Sequence, residues 1–373
     1  MMRSSKNKVR YAVVGLGHIA QVAVLPAFKS SRNSELAALV SGDFEKLRKL
    51  GKKYGIAHLY PYEEYNRALS SVDAVFVTMP NHLHREYTVR AAAAGVHVLC
   101  EKPMAPTPQA CREMIEAANQ NHVKLMIAYR LHFEAGNLEA VRLAQSGKLG
   151  NIRVLTSEFA QQVADGNIRV TEPALLGGGP LYDMGVYCIN AARYLFRSEP
   201  KEVCALAESK LSDERFERVE EMVSAVLRFP GEQLAMFTCS FGAADVSRYT
   251  LLGTKGLIRV EPAYEYAQGL GLEVTIGGKK TSRRFPKRDQ FAAELSYFSN
   301  CILRNKQPEP SGLEGLADIR IIEAIYQSIH TRRTVAIPQL NVEKRPYVGQ
   351  EIHRIPHGKP EVFRVHRASR DVA

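Results

Sequence analysis

Three short stretches carry residue types able to do chemistry. The first is Gly15-x-Gly17-x-x-Ala20, directly behind the apolar run VRYAVV at 9–14. Glycine at 15 permits a tight turn, glycine at 17 lets the backbone approach a pyrophosphate, and alanine at 20 allows close helix–strand packing. A helix opening there turns unpaired N–H groups and a positive dipole end toward phosphates. The second stretch is Cys100-Glu101-Lys102-Pro103-Met104, behind the run VHVL at 96–99. Ligands of an open parallel sheet bind beyond the carboxyl ends of its strands, which would bring Lys102 into such a crevice. The Lys-Pro pair alone also suits a surface turn. The third is Gly177-Gly178-Gly179-Pro180 feeding a helical pattern with Asp183 and Tyr187 four residues apart, on one face. The G-K-[ST] ending of a phosphate loop is missing. Taken alone, Tyr187 reads first as a core aromatic.

A fourth position bears on the ligand. The second strand ends at Val40, followed by Ser41-Gly42-Asp43. A carboxylate at that end binds the ribose 2′-hydroxyl of NAD and repels a 2′-phosphate. Ser41 stands there instead, with Lys46 and Arg48 nearby. A hydroxyl, a backbone N–H and a lysine suit a 2′-phosphate, and Asp43 becomes the cap of the next helix. NADP is therefore expected, with NAD possible.

These residues need a scaffold. Nearly all-apolar runs at 9–14, 36–40, 73–77, 96–99 and 123–128 alternate with helical patterns to about Ser30, from Asp43 to about Tyr54, and at 82–94 and 107–121. Such alternation indicates a doubly wound parallel sheet covered on both faces, a Rossmann arrangement. The rhythm changes near residue 150. Strand-like runs at 151–160, 201–209, 221–229, 233–241, 247–253, 256–261 and 272–276 are joined by turns such as FPGEQ, LGTKG and IGGKK. They predict an open, mostly antiparallel β-sheet, interrupted by a helix at 181–196 and closed by helices at 288–305 and 313–331. The expected division is an α/β domain over 1–130, an α+β domain over 131–337, and an extended C-terminal arm over 338–373. That arm should lie on the body or on a neighbouring subunit.

Composition removes several function classes. No apolar run approaches the roughly 18 residues of a membrane span. The start lacks the apolar segment of a signal peptide, so a cytoplasmic location is expected. The six cysteines are scattered, with no C-x-x-C pair. They read as reduced, mostly buried thiols, and no metal site is expected. Of the net charge of +11, residues 1–10 carry +4 and residues 338–373 carry +3. The excess sits on the tails rather than on one folded face with a motif, so nucleic acid is not expected as a partner.

Taken together, VGLGHIA, Pro80-Asn81-His82-Leu83-His84, GVHVLCEKPMA, LMIAYR and GGGPLYDMGVY make the chain, over about residues 9–335, resemble the Gfo/Idh/MocA oxidoreductases. The family's E-K-P lysine maps to Lys102, and its D-x-G-x-H motif to Asp183, Gly185 and position 187. Tyrosine at 187, where histidine is commoner, looks like the glucose–fructose oxidoreductase branch, as do LVSGDFEK and AIYQSIHTRR. The resemblance implies a Rossmann domain plus an open sheet, a sugar substrate such as an aldose or cyclic polyol, and dimers or tetramers joined through the open face of that sheet. It also implies hydride transfer, with Tyr187 as acid/base, a phenolate favoured by the Lys102 ammonium, and Asp183 orienting Lys102 or substrate hydroxyls. The expected cofactor positions are Gly15, Gly17, His18, Ile19, Ala20, Ser41, Gly42, Lys46, Pro80, Asn81, His84, Glu101, Lys102 and Arg130. The expected substrate positions are Lys102, Tyr129, Arg169, Asp183 and Tyr187. His84 reads as a packed crevice residue. Two other readings stay open: a sugar–sugar hydride shuttle that retains NADP, and a non-catalytic NADP-binding regulator.

Overall fold

A computed structural model describes residues 7–210, 212–342, 344–358 and 360–365. Arg3 and Lys6 of the basic start, and residues 366–373 of the arm, lie outside the described residues.

The first sheet is parallel, with order β3-β2-β1-β4-β5-β6 for β1 (Val9–Val14), β2 (Ser34–Val40), β3 (His58–Tyr60), β4 (Ala74–Val77), β5 (His97–Glu101) and β6 (Leu125–Ala128). Order reverses between β1 and β4, the switch point at which such sheets open a ligand crevice. β1, β4, β5 and β6 are almost wholly buried, as strands covered on both faces must be. Helix α1 (Phe44–Tyr54) starts as expected, with Asp43 Oδ1 accepting from the Lys46 amide at 3.0 Å. The first crossover is helical to residue 27 and closes in a turn over 28–30, close to the expected end, but it is not a regular α-helix. A π-helical stretch, Ala20–Val24, runs into one α-turn at Leu25–Ala27, which contains Pro26.

The second sheet has nine strands, ordered β14-β13-β12-β11-β7-β10-β9-β8-β15. These are β7 (Ile152–Ala160), β8 (Glu202–Glu208), β9 (Met222–Phe229), β10 (Gln233–Ser240), β11 (Val246–Gly253), β12 (Gly256–Val260), β13 (Gly271–Ile276), β14 (Lys279–Arg284) and β15 (Val335–Ala336). All pairings are antiparallel except β10 with β7. β9 alternates strictly between exposed and buried residues, one face on the core and one open. The open face carries Leu206, Met222, Val226, Leu234 and Met236.

Two further helices tie the halves together. α2 (Gln290–Leu303), which a division at residue 131 assigns to the second domain, covers the first sheet: Phe291, Leu295 and Phe298 share a core with Val13, Leu39 and Phe76. Serines seal the contact, with Ser299 Oγ 2.8 Å from Tyr11 Oη and 2.7 Å from Ser34 Oγ. The first crossover leaves that face of the sheet for another helix to fill. α3 (Gly312–Thr331) packs between β6 of the first sheet and β8 of the second. The arm lies on the body, as one of its two expected placements: Arg354 O accepts from the Asp289 amide, and further along the arm reaches the first domain.

Candidate functional site

The crevice opens at the carboxyl ends of β1, β4 and β5. Gly15 adopts φ +92°, and a Cβ there would lie 2.8 Å from Thr78 O and 2.9 Å from Met79 Sδ. A Cβ at Gly17 would meet nothing within 4 Å. The first glycine is thus required by the turn, while the second keeps backbone open toward the cavity, as the approach of a pyrophosphate demands. The cavity measures about 730 Å³ and runs from Gly17, His18, Ile19 and Lys46 at one end to Lys102, Asp183 and Tyr187 at the other. The volume and the residues at the glycine end fit a dinucleotide.

At the far end, residues from both domains converge. Lys102 directly follows β5, and its peptide bond to Pro103 is cis. Its Nζ donates to Asp183 Oδ1 at 2.9 Å and to Asp183 O at 2.8 Å. An ammonium has three N–H donors, so one remains for a ligand oxygen. The same Nζ lies 4.6 Å from the ring centroid of Tyr187. Arg169 Nε sits 3.1 Å from Asp183 Oδ2. Burial alone would push the Asp183 carboxyl up, but the Arg169 guanidinium and the Lys102 ammonium outweigh it and hold the group below the usual range. Asp183 is in a π-helical turn, Leu181–Gly185, that leads into α4 (Val186–Phe196), and Tyr187 stands at the start of that helix. The π turn still places both side chains on the crevice.

Arg130 is buried, and its guanidinium lies 5.0 Å from the Tyr187 ring and 5.2 Å from the Tyr266 ring. Gln290 and the carbonyl of Tyr264 accept its N–H groups. Two carboxyls lie within its electrostatic reach. Glu101 accepts from the Lys102 amide at 3.2 Å through Oε2, whereas its Oε1 is buried and unpartnered among the described residues. Burial pushes the Glu101 carboxyl up to about 7, against the pull of Lys102. Glu294 is fully buried with both oxygens unpartnered among the described residues, and burial followed by the nearby Glu101 raises it well above the usual range.

The glycine loop proves to be a close-approach device. A Cβ at Gly177 would come 2.7 Å from Asn81 Cβ, and one at Gly178 would come 2.0 Å from Glu172 O. Asn81 Nδ2 donates to Gly177 O at 2.7 Å, joining the two domains beside the cavity. Both ring nitrogens of His84 face carbonyls, Met79 O at 2.8 Å and Pro103 O at 3.0 Å, so His84 holds the crevice wall.

Several expectations need correction. Tyr129 does not face the cavity: its hydroxyl donates to Asp318 Oδ2 at 2.5 Å, in the core between the domains. Both residues lie past the end of β6, where the chain turns into a short 3-10 stretch at Arg130–Phe133, and of the two only Arg130 lines the cavity. Ser41 is buried, and its Oγ accepts from the Asp43 amide at 3.2 Å; of that segment it is Lys46 that lines the cavity. Gly15 and Ala20 act through backbone turn and packing, Ala20 being fully buried. Pro80 lines the cavity, and Gly42 packs against the Tyr62 ring. Arg169 lines the cavity as expected, while Gln161, Asn167, Ile168, Glu172 and residues 264–267 add wall to which sequence reasoning gave no role, Tyr264 and Tyr266 foremost. So does Arg364 from the arm. No spacing signal links these to Lys102, because they reach it only through the fold.

Two family models match the chain. Residues 9–129 match an oxidoreductase family with an NAD-binding Rossmann fold, and residues 137–259 match the GFO/IDH/MocA C-terminal domain. Among curated relatives, a D-xylose 1-dehydrogenase [NADP(+)] from Haloarcula marismortui is 31% identical, over 90% of this chain and 94% of the relative. Among solved structures, an aldose–aldose oxidoreductase from Caulobacter crescentus, complexed with glycerol, is 42% identical with a TM-score of 0.84, over 88% of this chain and 99% of that one. A levoglucosan dehydrogenase in complex with NADH and levoglucosan shares the fold at 19% identity, with a TM-score of 0.77 over 89% of this chain and 100% of that one.

Proposed function

The chain belongs to the Gfo/Idh/MocA oxidoreductase family, and from that premise we propose that it is an NADP-dependent oxidoreductase moving a hydride between nicotinamide and a carbon-bound hydroxyl of an aldose or cyclic polyol. One observation carries the reading: the Lys102 ammonium from the first domain and the Tyr187 phenol from the second meet at 4.6 Å at one end of a dinucleotide-sized cavity. The bound nicotinamide supplies the hydride acceptor or donor. The chain supplies the proton chemistry. Asp183 fixes Lys102 by two contacts, and the remaining N–H of Lys102 donates to the reacting oxygen. Tyr187 takes the proton of that oxygen or returns it. Arg169 keeps Asp183 charged, and Arg130 braces the tyrosine ring. His18, Ile19 and Lys46 line the dinucleotide's other end. The exposed apolar face of β8–β10 supports a homodimer or homotetramer joined there. Similarity to xylose and aldose oxidoreductases supports the substrate class.

A second reading is a sugar–sugar hydride shuttle with retained NADP. It is favoured by the 42% identity to an aldose–aldose oxidoreductase and by the arm reaching the crevice. One experiment separates the readings. Purified protein is desalted, its nicotinamide absorbance is recorded, and aldoses and polyols are screened with added NADP or NAD. Turnover with added NADP is expected, well above that with NAD. Retained absorbance with sugar-to-sugar turnover selects the shuttle. Cofactor binding without turnover on any sugar would overturn both and leave the regulator.

A further inference from the structure

The described part of the C-terminal arm crosses the first domain and reaches the cavity beside Lys46. Gln21, 1% exposed in the first crossover, grips it from both sides: Nε2 donates to Phe363 O at 2.9 Å, and Oε1 accepts from the Phe363 amide at 2.8 Å. Lys53 Nζ donates to Glu361 O at 2.7 Å, and the Lys49 ammonium lies 3.6 Å from the Phe363 ring centroid. This clamp delivers Arg364 to the cavity wall, which it lines together with Lys46. There Arg364 Nη1 is 2.6 Å from Glu45 Oε2 and 3.6 Å from Asp43 Oδ1.

Charge makes that position informative. The segment after β2 presents Lys46 beside two carboxylates, Asp43 and Glu45. Acidic groups here suit a free ribose 2′-hydroxyl and oppose a 2′-phosphate. Left alone, the pair would weaken the preference that Lys46 provides. Together with the Lys46 ammonium, the guanidinium balances the two negative charges. It has five N–H donors in a planar fork, so it can bond a carboxylate and still offer donors to a phosphate.

We propose that Arg364 is a cofactor-specificity residue: by offsetting, with Lys46, the charge of the Asp43–Glu45 pair and offering its own donors, the arm turns an acidic, NAD-type site into one that takes a 2′-phosphate. This rests on the NADP reading above.

The test needs no sugar and no hydride transfer. Full-length protein, Arg364→Ala and Glu45→Gln are titrated calorimetrically with 2′-phospho-ADP-ribose and with ADP-ribose. Arg364 has its side chain 56% exposed, so its replacement should leave the fold intact. Wild type is expected to favour the phosphorylated ligand. Arg364→Ala should weaken that ligand by about tenfold, the scale of one charge-assisted contact, while changing ADP-ribose by less than about twofold. Glu45→Gln should tighten the phosphorylated ligand alone. If wild type discriminates and Arg364→Ala keeps the whole preference, the inference fails and the NADP reading stands. If wild type binds both ligands equally, the phosphate subsite does not exist and both fail.

Discussion

Two clusters of buried charge lie close together in this molecule, and they are built differently. Behind the crevice, Arg193 is wholly enclosed and bonds Glu199 at 2.7 Å, Glu314 at 2.9 Å and Asp318 at 2.6 Å. Arg345 closes onto Glu314 and Glu199. His132 sits between Glu309 and Asn190, both at 2.8 Å, and Asn190 and Tyr129 complete the shell of Asp318. In that network each charge has an opposite partner and the acceptors are filled. The crevice cluster is incomplete by comparison: Glu101 Oε1 and both Glu294 oxygens have no hydrogen-bond partner among the described residues, and Lys102 keeps a donor in hand. A closed network of buried charge can only hold elements together. An open one beside a cavity has capacity left for a ligand or a proton.

Exchanging matched substitutions breaks this comparison most sharply. Arg193→Met removes the cation from a shell of three acids and should cost about 3–5 kcal/mol of stability, with kcat per folded molecule unchanged. Lys102→Met should lower kcat by about 10²–10⁴-fold and barely move stability, because Arg169 still pairs with Asp183. Denaturant unfolding and steady-state kinetics on both variants check this. A Lys102→Met protein that is unstable but active would reverse the assignment of the two clusters.

A smaller effect concerns the open carboxyls and pH. The folded protein holds the Glu101 carboxyl at about 7, above its value in an unfolded chain, so folding favours the protonated form. The stability this contributes is complete below the ordinary carboxylate range and is lost as pH rises through about 7. Asp183 works in the opposite sense: held below the usual range, its contribution is present at neutral pH and lost only in acid. Between roughly pH 6 and 8, melting temperature should therefore fall more in wild type than in Glu101→Gln. Equal slopes in thermal unfolding would mean that Glu101 is ionised throughout.

Much of the scaffold was legible because it obeys simple periods. β1, β4, β5 and β6 are continuous apolar runs, and β9 alternates buried and exposed residues along its length. β14 was not legible: KKTSRR has no apolar residue and every position is exposed, as suits a charged edge strand that resists further pairing. The three-residue β3 and the helix Ala135–Gln145 also escaped notice. At the site, Gly15, Gly17, Lys102, Asp183 and Tyr187 were legible because local motifs carry them. Tyr129 was placed at the substrate by resemblance alone, and its partner Asp318 comes from a distant helix that no local motif announces. Arg364 and Tyr266 were missed because only the fold brings them to the crevice.

The central claim is that Tyr187 moves the proton while Lys102 holds the reacting oxygen. Stopped-flow measurement of the hydride step in Tyr187→Phe, with NADP and a turned-over aldose, tests it most directly. The expected result is a loss of about 10²-fold or more in that step, with the Kd for NADP unchanged. A rate within about threefold of wild type would contradict the assignment.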